Sequence, residues 1–289
     1  MHHDRLSQEI HVASAHGTAK KRHTIMKFGN VGLIMAIAIG LAGAFGTNGF
    51  AQTESLTVGA PPSLRAVFTE ILPMFEREYG ASVNVVYAPS KTLSHQIEQG
   101  APIDVFLAAG TDEVAQLYKK GLTLNGRPRT YAQTSLVLVM STETLATLVS
   151  FHDALPNRTT RIALGDPRTS ALGDVTARVL ARVNPNYMDK SRSNIIYASH
   201  SEDIINLIHA GKADVGLVYR VDAINGGQVR ISDETPAESY VPVQFGQAVV
   251  STCQEGARGI AKDFSDFLMT PRVQKLLIKY GFDSLPTVG

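Results

Sequence analysis

Ser63, Ser90 and either Ser199 or Ser201 each stand where a short apolar run gives way to a helical pattern, and that placement gives them chemistry to do. A helix start exposes N–H groups with no intrahelical acceptor together with the positive end of the macrodipole. Several such starts aimed at one cleft therefore bind an anion without any charged side chain. A serine at such a point is also an ordinary N-cap in any fold, and for each serine taken singly capping is the commoner role. Recurrence on one edge of the predicted sheets is what favours a shared anion site. Two cations lie close by. Lys91 follows Ser90 directly and either pairs with an anion or faces solvent, whereas Arg65 is expected to face solvent.

Other chemistries lack their signatures. The sequence holds no G-x-G-x-x-G, no P-loop and no G-x-S-x-G, which removes the usual marks of nucleotide binding and serine hydrolysis. His200-Ser201-Glu202-Asp203 has the composition of a metal site without a ligand spacing. Acidic residues in a first helical turn suit the dipole, so the segment reads as a helix start. His95, His152 and His209 are scattered and read as surface residues. The serines are accompanied by no paired carboxylates and no nucleophile with an adjacent base, so the expectation is a binding module, not an enzyme, with no cofactor and no cation-liganding site.

The elements that must position these serines alternate between β-rich and helical runs, which predicts an α/β protein with mainly parallel sheets flanked by helices. Leu56 to Val58, Val83 to Tyr87 and Val105 to Ala108 are the first strands. Between the first two, Leu64, Val67, Phe68, Ile71, Leu72 and Phe75 fall at i, i+3, i+4, i+7 spacing; Pro73 should kink that helix and Gly80 close it. Further helices run from Lys91 to Gln99, with Ser90 as N-cap, and up to Lys119-Lys120-Gly121. Leu136 to Met140 opens a second set, with strands at Arg161 to Leu164, Ile195 to Tyr197 and Val215 to Val218 and helices near 173 to 183 and 202 to 210. Asn225 to Glu238 shows no strong pattern. Tyr240 to Val250 returns to β character before two helices separated by Pro271. One lobe interrupted by another follows: 53–132 plus 243–289, and 133–242, joined by two crossing segments able to act as a hinge.

Residues 1–51 read as an export signal peptide. Lys20-Lys21-Arg22 and Lys27 precede the apolar run from Val31 to about Phe45, and Gly49-Phe50-Ala51 supplies small residues for cleavage after Ala51. The run is broken by Gly32, Gly40, Gly43 and Gly46 and is shorter than the roughly 20 apolar residues of a membrane span. Met1 and Met26 both remain possible starts. The expected product is soluble, periplasmic and monomeric. Cys253 is its only cysteine, which excludes an internal disulfide and leaves stability to packing. Of the 27 Lys+Arg and 26 Asp+Glu, the leader takes 5 and 2, leaving a mature net charge of −2. Bulk attraction to nucleic acid or anionic lipid is not indicated, so any anion must be held by local dipoles.

Pro62-Ser63-Leu64, Ala88-Pro89-Ser90-Lys91-Thr92-Leu93, the run from Gln96 through Gly100-Ala101-Pro102 to Asp104-Val105-Phe106, Gly165-Asp166-Pro167 and Gly216-Leu217-Val218-Tyr219 together carry a resemblance. Over essentially the whole mature chain, the protein resembles the periplasmic molybdate-binding proteins of bacterial ATP-driven importers. The resemblance implies a two-lobed periplasmic solute-binding fold (type II) closing around a tetrahedral dianion, molybdate or tungstate, for delivery to a membrane permease. It also implies a site: hydroxyls of Ser63, Ser90 and Tyr219, and backbone N–H groups of Leu172 and Ser201, so that Ser201→Ala should do little. Neutral donors of this kind suit a desolvated oxyanion. Four positions depart from the family: Pro61 and Pro62 precede Ser63 where alanines are common, Lys91 replaces a small residue, and Leu172 replaces an alanine. A cation beside the pocket would suit a different anion. The alternatives are a binding protein for sulfate, phosphate or an organic anion, and an enzyme on the same two-lobe scaffold.

Overall fold

The structure is a computed structural model. It describes residues 54–124, 126–144, 147, 149–183, 193–236 and 242–285. The expected leader, its cleavage after Ala51 and the choice between Met1 and Met26 lie outside the described residues.

The chain opens with strand β1 (Glu54–Ala60), a 3-10 turn at Pro62–Leu64 and helix α1 (Arg65–Tyr79). There follow β2 (Ala81–Tyr87), α2 (Ser90–Glu98), β3 (Val105–Ala108), α3 (Asp112–Lys119) and β4 (Arg129–Thr134). The second set is β5 (Leu136–Ser141), α4 (Phe151–Ala154), β6 (Ile162–Gly165), α5 (Ala171–Val183) and β7 (Ile195–Ala198). It continues with α6 (Ser201–His209), β8 (Val215–Tyr219), α7 (Arg220–Asn225) and β9 (Val229–Glu234). The chain then returns through β10 (Val243–Val249) to α8 (Arg258–Phe267) and α9 (Pro271–Lys279).

Two five-stranded sheets result, ordered β2-β1-β3-β10-β4 and β7-β6-β8-β5-β9. The first draws four strands from before residue 135 and takes back β10, which inserts antiparallel between β3 and β4. Each sheet is more mixed than the sequence pattern predicts. In each, two strand pairs joined through helices are parallel and two are antiparallel. The strand β9 corrects the reading of Asn225 to Glu238 as patternless. It is an edge strand on β5, polar at most positions and set off by a register shift at Leu138/Val139, so it lacks the apolar alternation that announces a half-buried strand.

Central strands β3, β6 and β8 are buried at every position, as expected where helices cover both faces. On α1, Val67, Phe68, Ile71 and Phe75 form the buried face, and the helix runs through Pro73 to Tyr79. Gly80 ends it in the left-handed region at φ 65°. Phe75 meets Phe264 edge-on at 4.9 Å and Phe267 at 5.3 Å, which ties the first helix to α8. Truncating such a ring costs about 3–5 kcal/mol. Among the described residues, no helix is long and apolar enough to cross a membrane.

Candidate functional site

All five residues expected at the site line one cavity, which also takes in Pro61, Pro89, Ala109, Ser170, Ser199 and His200. The cavity is small, about 20 Å³. That is little more than the ~10–15 Å³ that a single water requires, so this arrangement admits one compact group and no extended ligand.

The first sheet contributes two hydroxyls, and neither serine is the helix cap that its position suggested. Pro89 caps α2 and Ser90 is the first helical residue; Pro61 precedes the 3-10 turn in which Ser63 is central. Proline takes these places because its fixed φ is already that of a helix entrance and its missing N–H is one the helix does not need. The serines are thereby released from capping. Ser90 Oγ accepts from Ala109 N at 2.9 Å, which leaves its own proton free to donate. Ser63 Oγ instead donates to Asp222 Oδ2 at 2.9 Å.

The second sheet contributes two helix starts. At α5, Ser170 Oγ accepts from Gly173 N at 3.0 Å and donates to Asp166 O at 3.1 Å, pinning the first turn to the end of β6. The approach is so close that a Cβ on Gly173 would lie 2.2 Å from the Asp166 carbonyl carbon, and one on Gly165 would lie 2.6 Å from Gly173 N. Leu172 N–H belongs to this first turn and has no intrahelical acceptor. Its side chain is only 2 % exposed and packs in the apolar core, which explains why leucine is tolerated there. At α6 the cap is His200, whose side chain accepts from Asp203 N, and Ser201 is the first helical residue. The Ser201 side chain, expected to be dispensable, accepts from Tyr219 N at 3.2 Å and also hydrogen-bonds the Asp222 carboxylate.

Tyr219 ends β8, is 3 % exposed and sets its ring edge-on to Phe245 at 5.9 Å. Its hydroxyl donates to Ala109 O at 3.3 Å. Burial, reinforced by the charge of Asp222, pushes the phenol well above its ordinary range, so it stays a donor. Ala109 thus receives Tyr219 from one sheet while giving its N–H to Ser90 on the other.

Asp222 lies behind the serines rather than in the cavity, facing a roomier groove of about 470 Å³ that Ser63, His200 and Ser201 also line. Burial pushes its carboxyl up to about 6, against the two serine hydroxyls that hold it down. Lys91 is neither in the cavity nor simply in solvent. Its Nζ reaches Asp174 Oδ2 at 2.7 Å and Pro167 O at 2.6 Å, and nearby Arg178 meets Asp112 at 3.3 Å, so both pairs bridge from the first set of elements to the second. Arg65 is exposed, as expected, and stacks over Tyr87 at 4.4 Å. His95, His152 and His209 are exposed. Among the described residues, no group of three or more His, Cys, Asp or Glu is placed to hold a metal ion.

A family model for bacterial extracellular solute-binding proteins matches residues 56–283. The chain belongs to that family. Among its relatives is the molybdate-binding protein ModA of Escherichia coli K12, 28% identical over 253 residues that cover 86% of this chain and 94% of that protein. Haemophilus influenzae ModA is 25% identical, covering 81% and 92%. Of solved structures, the periplasmic molybdate-binding protein of Azotobacter vinelandii superposes with a TM-score of 0.69 at 22% identity, covering 80% of this chain and all of that one. The sulfate-binding protein SubI of Mycobacterium tuberculosis does so at 0.70 and 18%, covering 81% and 88%. These likenesses establish the two-lobed type II fold. A solute-binding protein holds its cargo and returns it unchanged, which accords with a cavity lined by hydroxyl and N–H donors.

Sequence reasoning missed Ala109, Ser170, Gly173 and Asp222. Ala109 acts only through its backbone and carries no side-chain signal. Gly173 and Ser170 had a readable one, a serine three residues before a glycine just after Gly165-Asp166-Pro167, and Asp222 stands three residues beyond Tyr219.

Proposed function

We propose that the protein captures molybdate or tungstate in the periplasm and delivers it to the permease of an ATP-driven importer. The observation that carries this reading is the cavity itself: room for one compact group, bordered from both sheets by neutral hydroxyl and N–H donors. Ser63, Ser90 and Tyr219 supply hydroxyls, and Leu172 and Ser201 supply N–H groups at helix starts, where a dianion is favoured. The names of the ModA relatives support the choice of anion. The two lobes are 53–132 with 243–289, and 133–242, and they close on the ligand by turning about the segments that cross between them. A cleaved leader ending near Ala51 places the product in the periplasm as a soluble monomer.

The test is a thermal-shift panel of molybdate, tungstate, sulfate and phosphate, beside elemental analysis of the protein as purified. Molybdate and tungstate should raise the melting temperature, with stabilisation near 2.7 kcal/mol at about a hundredfold excess over Kd. Sulfate is the sharpest comparator, because SubI shares the fold. Equal shifts with sulfate and molybdate would remove the selectivity claim, and no shift with any oxyanion would remove the function.

A further inference from the structure

Asp222 touches the cavity only through other side chains. Its carboxyl accepts the Ser63 hydroxyl at 2.9 Å and hydrogen-bonds that of Ser201. Both serines line the cavity, while Asp222 lines the groove behind them. A hydroxyl has one proton to give. With that proton committed to Asp222, Ser63 turns only lone pairs toward anything else, and lone pairs repel an oxyanion. An ionised Asp222 behind the serine would also set a further negative charge close to a captured dianion, at a site with little water to screen it.

We propose that Asp222 is the positioning residue of the anion site: once it carries a proton it donates to Ser63 Oγ, and the Ser63 hydroxyl turns to donate to the captured dianion. The inference rests on the anion-capture reading above. One proton is taken from solvent for each dianion captured and returned on release. The groups around Asp222 leave it free to take this part. Glu202 of α6 faces it and favours its protonation. Arg65 of α1 and His200 at the head of α6 line the same groove, but Arg65 stacks on Tyr87 and His200 Nδ1 turns to Asp203. Arg220, on its own helix, reaches Glu234 at 3.6 Å and Gly281 O at 3.4 Å. Tyr219 stays protonated throughout the working range. With the carboxyl raised to about 6, the proton is in place below that pH and must be drawn in above it.

Calorimetric titration with molybdate from about pH 6.5 to 8.5, in buffers of low and high ionisation heat, reads the linkage directly. The wild type should lose affinity by up to about tenfold per pH unit and take up a proton fraction that approaches one as pH rises. Asp222→Asn, whose amide donates to Ser63 at every pH, should bind with an affinity that no longer changes with pH. A flat wild-type profile without proton uptake overturns the proposal, as does a wild-type slope in Asp222→Asn. Should the wild type bind neither molybdate nor tungstate at any pH, the capture reading falls, and the Ser63–Asp222 pairing is decided in ligand-free protein. There a carboxyl raised from 3.8 to about 6 contributes stability below its unfolded value that is lost as pH rises through about 6. Ser63→Ala should move that step to higher pH, because it removes a bond that favours the ionised form. An unmoved step sinks the pairing even if Asp222→Asn does not fold.

Discussion

On the first sheet's side of the cavity the donors are side-chain hydroxyls, Ser63 and Ser90, freed from capping by the prolines before them. On the second sheet's side they are the N–H groups that begin α5 and α6, joined by the hydroxyl of Tyr219. A hydroxyl can be deleted by a single substitution and can rotate, as Ser63 does in serving Asp222. A backbone N–H cannot be deleted and points where its helix points, so its accuracy depends on whatever pins the helix start. On the proposed capture of an anion here, the first side is therefore vulnerable at the donors themselves, and the second at residues outside the donor set.

The largest effect should come from the second side, at Gly173. A methyl there meets the Asp166 carbonyl carbon at 2.2 Å, with only backbone to give way. Gly173→Ala must push α5 off the end of β6, at a cost of about 1–3 kcal/mol in stability. It should also shift Leu172 N–H enough to weaken molybdate binding by more than about a hundredfold, since charged hydrogen bonds weaken steeply out of line. Calorimetry on the folded variant checks it, and near-parental affinity would show that the α5 start is not a ligand.

Next come the hydroxyls. Ser90→Ala and Tyr219→Phe each remove a donor to a desolvated anion, worth about 1.5–3 kcal/mol, or one to two orders of magnitude in Kd. Ser90 can donate while keeping its bond from Ala109 N, whereas Tyr219 gives its one proton to Ala109 O and must turn from it to serve the anion; each substitution also breaks a bond to Ala109, so melting temperatures of the free proteins should fall slightly as well. Ser201→Ala, harmless if only its N–H mattered, is now expected to destabilise by about 1 kcal/mol because its hydroxyl holds Tyr219 N. Unchanged molybdate affinity in both Ser90→Ala and Tyr219→Phe would break the assignment of this side.

This asymmetry also governs what could be read before the fold was known. Ser63 and Ser90 were legible because a hydroxyl at a helix start is a side-chain signal, α1 because its apolar residues keep a clean period, and β3 because it is a short unbroken apolar run. Tyr219 and Leu172 came from the family resemblance alone, as did the choice of Ser201 over Ser199 and of its N–H as the donor, since an N–H donor has no residue type. The edge strand β9 and the mixed sheets were not legible, because polar edge positions lose the alternation and strand direction leaves no mark in composition. The role of Lys91 could not be read either: its partners, Asp174 and Pro167, lie about eighty residues away in sequence.

Leu172→Ala separates the backbone from the side chain at one residue. The side chain is core and the N–H is proposed ligand, so the substitution should cost about 2–5 kcal/mol in stability while leaving Kd within about threefold. Chemical denaturation with and without molybdate would show it. Loss of affinity in step with stability would mean that the α5 start moves when its packing is thinned.

The smallest effect should come from Lys91, the residue that departs most in charge from its family. Its side chain is 30 % exposed and that of its partner Asp174 35 % exposed. Ion pairs this open contribute about 0–1 kcal/mol, and salt screens them further. Because the pair joins elements of the two lobes, its loss should act on opening: Lys91→Ala should speed molybdate release by no more than about fivefold, with the difference shrinking at high salt. Asp174→Asn should do the same, since it removes the same pair from the other side. A direct role in holding the anion gives a different pattern, in which Lys91→Ala weakens affinity by tenfold or more while Asp174→Asn, by freeing the ammonium, strengthens it. Stopped-flow tyrosine fluorescence on the two variants distinguishes these outcomes, as the chain has no tryptophan to obscure the signal.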